Sequence, residues 1–170
     1  MNDPSAAAYG GPGWSPRTSS LSEEIGSIWA GFSVSSEYSQ LKSVLLHRPG
    51  EELCDLEDPN SLQMLSMPDQ KLVGKQHDGL ADAYRDAGVE VHYVEPGSTP
   101  TPNQMFAADL MFMTPSGAIL ARPASTVRAG EERWVARRLA EIGVPILGAG
   151  EETGPSRAPT RCGSTRILRS

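Results

Sequence analysis

The feature that most constrains the fold is a short phrase that occurs twice, each time between an amphipathic segment and an apolar one. Residues 85–89 (RDAGV) correspond to residues 140–144 (AEIGV), 55 positions further on. A strand–helix–strand unit of this length cannot bury its own apolar face, so its repetition indicates several units around a shared core. The sequence therefore predicts an α/β fold built from repeated units.

The first unit is predicted after residue 38. Residues 39–46 (SQLKSVLL) form a strand that ends at a Pro49-Gly50 turn, and an irregular acidic loop follows to residue 67. A helix then begins near Pro68 and ends at Gly88 in the left-handed conformation, before a strand over residues 89–94. The helix places one apolar face inward at Val73, His77, Leu80, Tyr84 and Ala87.

The second unit is predicted to start with a hairpin. Strands over residues 109–114 and 118–122 flank a Pro115-Ser116-Gly117 turn. A helix over residues 130–142 carries two glutamates on its positively polarised first turn, and a strand over residues 144–147 completes the unit. Its inward positions are Val135, Leu139 and Ile142.

Composition limits the classes of partner. Of 170 residues, 38% are apolar and the net charge is −6, which argues against nucleic acid because phosphate backbones need clustered basic residues. No apolar run is long enough for a membrane span, and the N-terminus lacks the pattern of a secretory signal. We therefore expect a cytoplasmic location.

Residues 1–38, rich in Gly, Pro, Ser and Ala, are predicted to be a disordered leader or the product of an upstream start. Two isolated cysteines indicate neither a disulfide framework nor a zinc site.

The stretch from Asn103 to Arg133, NQMFAADLMFMTPSGAILARPASTVRAGEER, carries a resemblance to a known family. It matches the order Pro-Asn-x-x-Phe-x-x-Asp, a hairpin ending Ala-Arg-Pro, and Arg-x-Gly-Glu. This order resembles the guanidine-modifying (pentein) superfamily of arginine deiminases, dimethylargininases and amidinotransferases. The resemblance covers about residues 40–150 and implies an α/β propeller of five units, of which this chain holds about two. Residues 39–154 would then be the N-terminal part of such a domain.

The resemblance implies two substrate-binding residues. Asp109 matches the aspartate that holds the substrate guanidinium, a planar cation that carboxylates pair with well; the alternative is an aspartate that caps local backbone N–H groups at a strand start. Arg122 matches the arginine that pairs with the substrate carboxylate; the alternative is a rim arginine bridging the following loop. Ala108 departs from the family, where a charged residue often precedes the aspartate, so the substrate need not be a plain α-amino acid.

Catalysis in this family uses a cysteine nucleophile and a histidine that moves protons. The resemblance implies no metal or organic cofactor and a small guanidino substrate in intact members. Cys54 lies in the wrong segment and Cys162 in an anomalous tail, so no catalytic residue is assigned. His77 is expected to be a hydrogen-bonded core histidine, Asn103 to form a turn, and Arg128 to contact the start of the following helix or a neighbouring loop. The choice between transferase and hydrolase stays open, as does the oligomeric state.

The tail, residues 155–170, does not continue the pattern. Residues 156–170 contain four arginines and no acid, whereas the rest of the chain has 11 basic and 21 acidic residues (15 minus 4, against 21). Written in GC-rich codons and read one base earlier, the tail gives Phe-Glu-Gly-Ala-Asp-Ala-Leu-Trp, a family segment. We therefore expect a frameshifted tail and a truncated, inactive family member. The alternatives are a genuine basic tail that contacts a partner and a non-catalytic binding or interaction fragment.

Overall fold

The computed structural model describes residues 6–32, 34–54 and 56–150, together with the backbone of residues 166–167. Its strands are β1 (Ser43–Leu46), β2 (Glu90–Tyr93), β3 (Met111–Thr114), β4 (Gly117–Leu120), β5 (Ile146–Ala149) and β6 (Arg166–Ile167). Its helices are α1 (Leu21–Glu24), α2 (Gln70–Asp86) and α3 (Glu131–Glu141). The predicted α/β class is confirmed as a mixed fold with two small sheets. The propeller arrangement stays a prediction.

The second unit forms a three-stranded sheet in the order β3-β4-β5. β3 pairs antiparallel with β4 from Met111 opposite Leu120 to Thr114 opposite Gly117, and β5 lies parallel to β4 on the other side. At Gly117 the φ angle is +144°, and an added Cβ would lie 2.4 Å from the carbonyl oxygen of Pro145. Only glycine allows this approach of the hairpin to the start of β5.

The first unit has the same arrangement with one strand taken from elsewhere. β1 pairs parallel with β2, from Ser43 opposite Glu90 to Leu46 opposite Tyr93. On its other side β1 pairs antiparallel with β6, so Ser43 lies opposite Ile167. Each sheet thus has a central strand with one antiparallel and one parallel neighbour, but β6 comes from the C-terminal end of the chain.

Helix α2 begins where its sequence provides a cap. The Asp69 side chain accepts a hydrogen bond from the backbone N–H of Leu72 at 2.9 Å, which satisfies one of the free donors of the first turn. Gly88, at φ +74°, follows the helix in the predicted left-handed conformation. The buried residues of α2 are small: at Gly74 an added Cβ would lie 3.2 Å from Nη2 of Arg48.

The predicted inward face of α2 is only half covered. Val73, His77 and Tyr84 are half-buried, and Leu80 keeps 47% of its surface exposed. The prediction that His77 is a hydrogen-bonded core histidine is wrong, because neither ring nitrogen has a hydrogen-bond partner in the described part of the chain. Its ring instead packs beside Tyr93, with 5.9 Å between ring centroids. Burial, the largest influence, lowers the pKa of His77 below its ordinary value.

One hydrophobic cluster joins the two units. Most of its members come from the second unit, where Val135 and Leu139 of α3 are fully buried as predicted. Leu45 of β1 and Val94 after β2 contribute from the first unit. The complete cluster is Phe32, Leu45, Val94, Ala107, Leu110, Met111, Met113, Ala118, Leu120, Val135, Leu139 and Val144. The predicted repetition around a shared core therefore has a physical basis in one apolar cluster.

The N-terminal arm, residues 20–32 and 34, differs from the predicted disordered leader. Ser20 opens α1 with a capping box, in which its hydroxyl and the Glu23 carboxylate each accept from the other's backbone N–H. The backbone N–H of Ala30 donates to the carbonyl of Gly143, and Phe32 is 2% exposed within the core cluster. The arm is therefore packed against the second unit.

Two further sequence expectations concern the ends and the environment of the chain. The predicted frameshifted tail, residues 155–170, lies outside the described residues apart from the two residues of β6. Among the helices that are described, none combines the length and the apolar character that crossing a lipid bilayer requires.

Candidate functional site

A pocket of about 550 Å³ lies beside the hairpin of the second unit. Its polar and charged walls include Asp109, Arg122, Arg128 and Gln63, and its apolar walls include Phe112 and Ile119. Phe112 and Ile119 are cross-strand partners of β3 and β4. The structure therefore brings together Asp109 and Arg122, the two site residues that the sequence predicted.

Asp109 is placed by a tight turn rather than by a strand. It closes a 3₁₀ turn over Ala107–Asp109, in which the backbone N–H of Leu110 donates to the carbonyl of Ala107. Leu110 is fully buried and holds the turn against the core, whereas the Asp109 side chain keeps 63% of its surface exposed. The turn thus presents a carboxylate at the pocket wall.

The guanidinium of Arg128 binds this carboxylate. Its Nη1 donates to Oδ2 of Asp109 at 2.5 Å, Nε donates to Oε2 of Glu131 at 2.8 Å, and Nη2 donates to the carbonyl of Phe106 at 2.8 Å. The contact with Glu131 confirms the prediction that Arg128 contacts the start of the helix. The contact with Asp109 is one that the sequence did not predict.

At Arg128, the neighbouring carboxylates affect the pKa more than burial does. Burial acts to lower the pKa of the guanidinium, but hydrogen bonds to Asp109 and Glu131 and the charges of both carboxylates outweigh it. The pKa of Arg128 is therefore raised above its ordinary value, and the group is a permanent cation between two carboxylates. An arrangement of this kind is strong when the charges are partly removed from water.

Glu131 anchors the network from the first turn of α3. It is 1% exposed, and its Oε1 accepts from the hydroxyl of Thr101 at 2.5 Å while Oε2 accepts from Arg128. Gln104, fully buried, donates to the backbone carbonyl of Glu131 at 3.5 Å. A carboxylate buried to this degree needs a cation and further donors, and the chain supplies both.

Arg122 lies two residues after β4, on the rim of the pocket. Its side chain is exposed, and within residues 6–32, 34–54 and 56–150 it makes no hydrogen bond or ion pair. Both interpretations of Arg122, a substrate-binding residue and a rim arginine that bridges the following loop, stay predictions.

Asn103 connects the long loop after β1 to the pocket. It lies in a 3₁₀ turn over Pro102–Met105, in agreement with the predicted turn, and is 5% exposed. Its side-chain Nδ2 donates to the carbonyl of Leu62 at 2.9 Å. Gln63, the residue after Leu62, has a φ angle of 58° and lines the pocket. A buried amide thus holds the loop against the wall that carries Asp109.

Among the described residues, no histidine or cysteine lines this pocket. His47 is buried away from it, between the carbonyl of Val94 at 3.2 Å from Nδ1 and the carboxylate of Glu52 at 3.1 Å from Nε2. Cys54 is exposed and lies within 3.3 Å of Oε1 of Gln70. The described residues also contain no cluster of His, Cys, Asp or Glu that could hold a metal ion, and Cys162 lies outside them.

Arg128 is the site residue that sequence reasoning missed. Its signal was present in the Arg-x-Gly-Glu motif, but sequence spacing shows only that Arg128 and Glu131 share a helix start. Asp109 is 19 positions away from Arg128. Only the fold brings the hairpin and the helix start together, so this contact could not be derived from the motif.

Comparison with known sequences finds arginine deiminases. The chain is 48% identical to the arginine deiminase of Clostridium perfringens over 65 residues, which are 36% of this chain and 16% of that protein. It is 46% identical to the enzyme of Treponema denticola over 69 residues, 39% of this chain and 17% of that protein. The matched segment thus spans about a sixth of these relatives. No family profile matches the chain.

Comparison with solved structures finds dimethylarginine dimethylaminohydrolases. One, an adduct with 4-chloro-2-hydroxymethylpyridine, has a TM-score of 0.53 at 22% identity, over 68% of this chain and 42% of that one. The enzyme from Pseudomonas aeruginosa, in a complex with citrulline, has a TM-score of 0.52 at 21% identity, over 64% of this chain and 42% of that one. At these identities the likeness shows the fold. Sequence and fold together confirm the resemblance to the guanidine-modifying superfamily over part of the chain.

Proposed function

Because part of the chain is related to the guanidine-modifying superfamily, we propose that the pocket beside Asp109 binds the guanidinium group of a small arginine-like ligand. The observation that carries this proposal is the exposed Asp109 carboxylate, which already accepts a guanidinium N–H from Arg128. A carboxylate that binds the chain's own guanidinium has the charge and acceptor geometry that an external guanidinium requires. The relatives' names, arginine deiminase and dimethylarginine dimethylaminohydrolase, agree with this ligand class.

Arg122 gives the pocket a second charge of opposite sign. Since its guanidinium has no partner among the described residues, it is free to pair with a carboxylate. Phe112 and Ile119, 69% and 40% exposed, add an apolar surface to the same pocket for a methylene chain. A ligand with a cationic guanidine at one end and a carboxylate at the other matches this distribution.

We propose binding without turnover for this chain. Family chemistry requires a cysteine nucleophile and a histidine, and neither residue type is found among the described residues that line the pocket. The proposal is that residues 39–154 correspond to the N-terminal part of an amidino-group enzyme and supply its guanidinium-binding carboxylate. Whether intact relatives of this chain would be transferases or hydrolases depends on whether an amine or water resolves the covalent intermediate.

The proposal is tested by calorimetric titration of the chain with arginine. Binding is expected for the wild type and is expected to weaken at least about tenfold in Asp109→Asn, since a charge-assisted hydrogen bond contributes about 1.5–3 kcal/mol. Asp82→Asn, at an exposed aspartate of α2 that pairs with Arg85, is the matched control and should bind as the wild type does. No binding to the wild type, or equal binding by Asp109→Asn, would contradict the proposal. Release of citrulline or ornithine would contradict binding without turnover.

A further inference from the structure

We propose that Arg128 is a positioning residue, which holds one oxygen of Asp109 so that the other is presented to the ligand guanidinium. This inference rests on the proposed function. It assigns Arg128 a task distinct from direct ligand binding, because each nitrogen of its guanidinium already donates to a protein acceptor.

Each of the three nitrogens of the Arg128 guanidinium donates one hydrogen bond to a protein acceptor. Nε, Nη1 and Nη2 each donate to a different group: the Glu131 carboxylate, the Asp109 carboxylate and the Phe106 carbonyl, at 2.8, 2.5 and 2.8 Å. Because the guanidinium is planar and its N–H directions are fixed, three contacts define its position and orientation. Arg128 therefore fixes the carboxylate rather than following it.

Burial prevents Arg128 from leaving this position. Its side chain is 15% exposed, and that of Glu131 is fully buried. If Arg128 turned toward a ligand, the Glu131 carboxylate would lose its cation in an environment where an unpaired charge is very unfavourable. The ion pair with Glu131 thus keeps the guanidinium in place for Asp109 in the absence of ligand.

Asp109 retains binding capacity after this contact. Arg128 takes Oδ2, while the side chain as a whole is 63% exposed at the pocket wall. A carboxylate has two oxygens with about four acceptor directions, so Oδ1 remains for an incoming N–H. A carboxylate whose rotation is already restricted binds more tightly, since less conformational entropy is lost when the ligand arrives.

The test is titration of Arg128→Lys with arginine and with agmatine, which has the same guanidine but no carboxylate. Lysine keeps a cation beside Glu131 but cannot reproduce the three-way fork. If Arg128 acts through Asp109, the affinities for both ligands should fall by the same factor, about tenfold. Arg137→Lys is the matched control: Arg137 lies on α3 and pairs with Glu141 at the surface, and its replacement should change neither affinity.

The other outcomes overturn the inference in different ways. Weaker binding of arginine with unchanged binding of agmatine would show that Arg128 binds the ligand carboxylate directly. A lower melting temperature with unchanged affinities would show a purely structural role. If Arg128→Lys does not fold, Glu131→Gln replaces it, since it loosens the anchor while Arg128 keeps the Asp109 carboxylate as its counter-ion. Binding of both ligands should then weaken equally, by less than tenfold, and unchanged affinities would overturn the inference. Failure of the wild type to bind, or indifference to Asp109→Asn, would instead overturn the proposed function, and this inference with it.

Discussion

The two units share a helix–strand sequence pattern but differ in how completely their helices are buried. In the second unit, α3 lies on the β3-β4-β5 sheet with Val135 and Leu139 fully buried, and the N-terminal arm adds Phe32. In the first unit, α2 buries only Gly74 and Ala81 among its residues, and Leu72 and Leu80 remain 53% and 47% exposed. The same helix–strand pattern therefore does not give the same burial, because burial depends on what covers the other side of each helix.

The difference also determines where the pocket lies. Asp109, Arg122 and Arg128 belong to the well-packed second unit, where the hairpin and the start of α3 are held by one apolar cluster. The first unit contributes Gln63, through a loop tied down by Asn103. A carboxylate with the proposed binding role of Asp109 needs a rigid support, and Asp109 lies on the better packed unit.

The largest test of this comparison is a pair of leucine truncations, one on each helix. Leu139→Ala, in the fully buried position of α3, is expected to lower the free energy of unfolding by about 3 kcal/mol, because it removes buried methyl groups and leaves a cavity. Leu80→Ala on α2 should cost less than about 1 kcal/mol, since nearly half of that side chain is already in water. Urea denaturation measures both, and equal losses would show that the two units are packed alike.

A second test addresses the close approach within the second unit. Gly117→Ala is expected to lower the free energy of unfolding by about 2 kcal/mol, because its φ of +144° disfavours any Cβ and the added atom would lie 2.4 Å from the Pro145 carbonyl. Gly148→Ala on β5, where an added Cβ meets nothing within 4 Å, is the control and should change stability little. Thermal denaturation followed by circular dichroism distinguishes them. A stable Gly117→Ala chain would mean that β5 does not start against the hairpin.

The smallest expected effect is a pH dependence of the free energy of unfolding, caused by His77 in the first unit. Burial lowers the pKa of folded His77 below the ordinary value of 6.5, so on acidification the unfolded chain takes up its proton first. Stability should therefore fall as the pH drops below about 6.5 and level off once the folded histidine is also protonated. Replacing this histidine by His77→Phe keeps an aromatic ring beside Tyr93 and should flatten that part of the curve.

The measurement is the difference in unfolding free energy between wild type and His77→Phe from pH 7.5 to about pH 5, in which contributions from the rest of the chain cancel to first order. Asp78, Arg48 and Arg85 also act on His77, the first raising its pKa and the two arginines lowering it, so the experiment is best done at constant ionic strength. Parallel curves for the two proteins would mean that His77 titrates equally in the folded and unfolded chains.

Local sequence determined the elements and their ends. Asp69 begins α2 with a side-chain cap, Gly88 follows it with a positive φ, and the Pro115-Ser116-Gly117 turn joins β3 to β4 within two or three residues of the predicted bounds. Each of these depends on the conformational preference of one residue or on contacts within one turn, so the sequence nearby contains the information. The inward positions Val135 and Leu139 followed in the same way from helical periodicity.

Tertiary structure decided what lies against these elements. Nothing in the sequence near His77 shows that its ring nitrogens lack partners, and nothing near Phe32 shows that an apparently disordered leader enters the core. Asp109 could be selected from its motif, but its contact with Arg128, 19 positions away, exists only because the core holds the hairpin against the start of α3. Burial and long-range charge pairing depend on all elements at once, whereas turns and helix ends are determined by neighbouring residues.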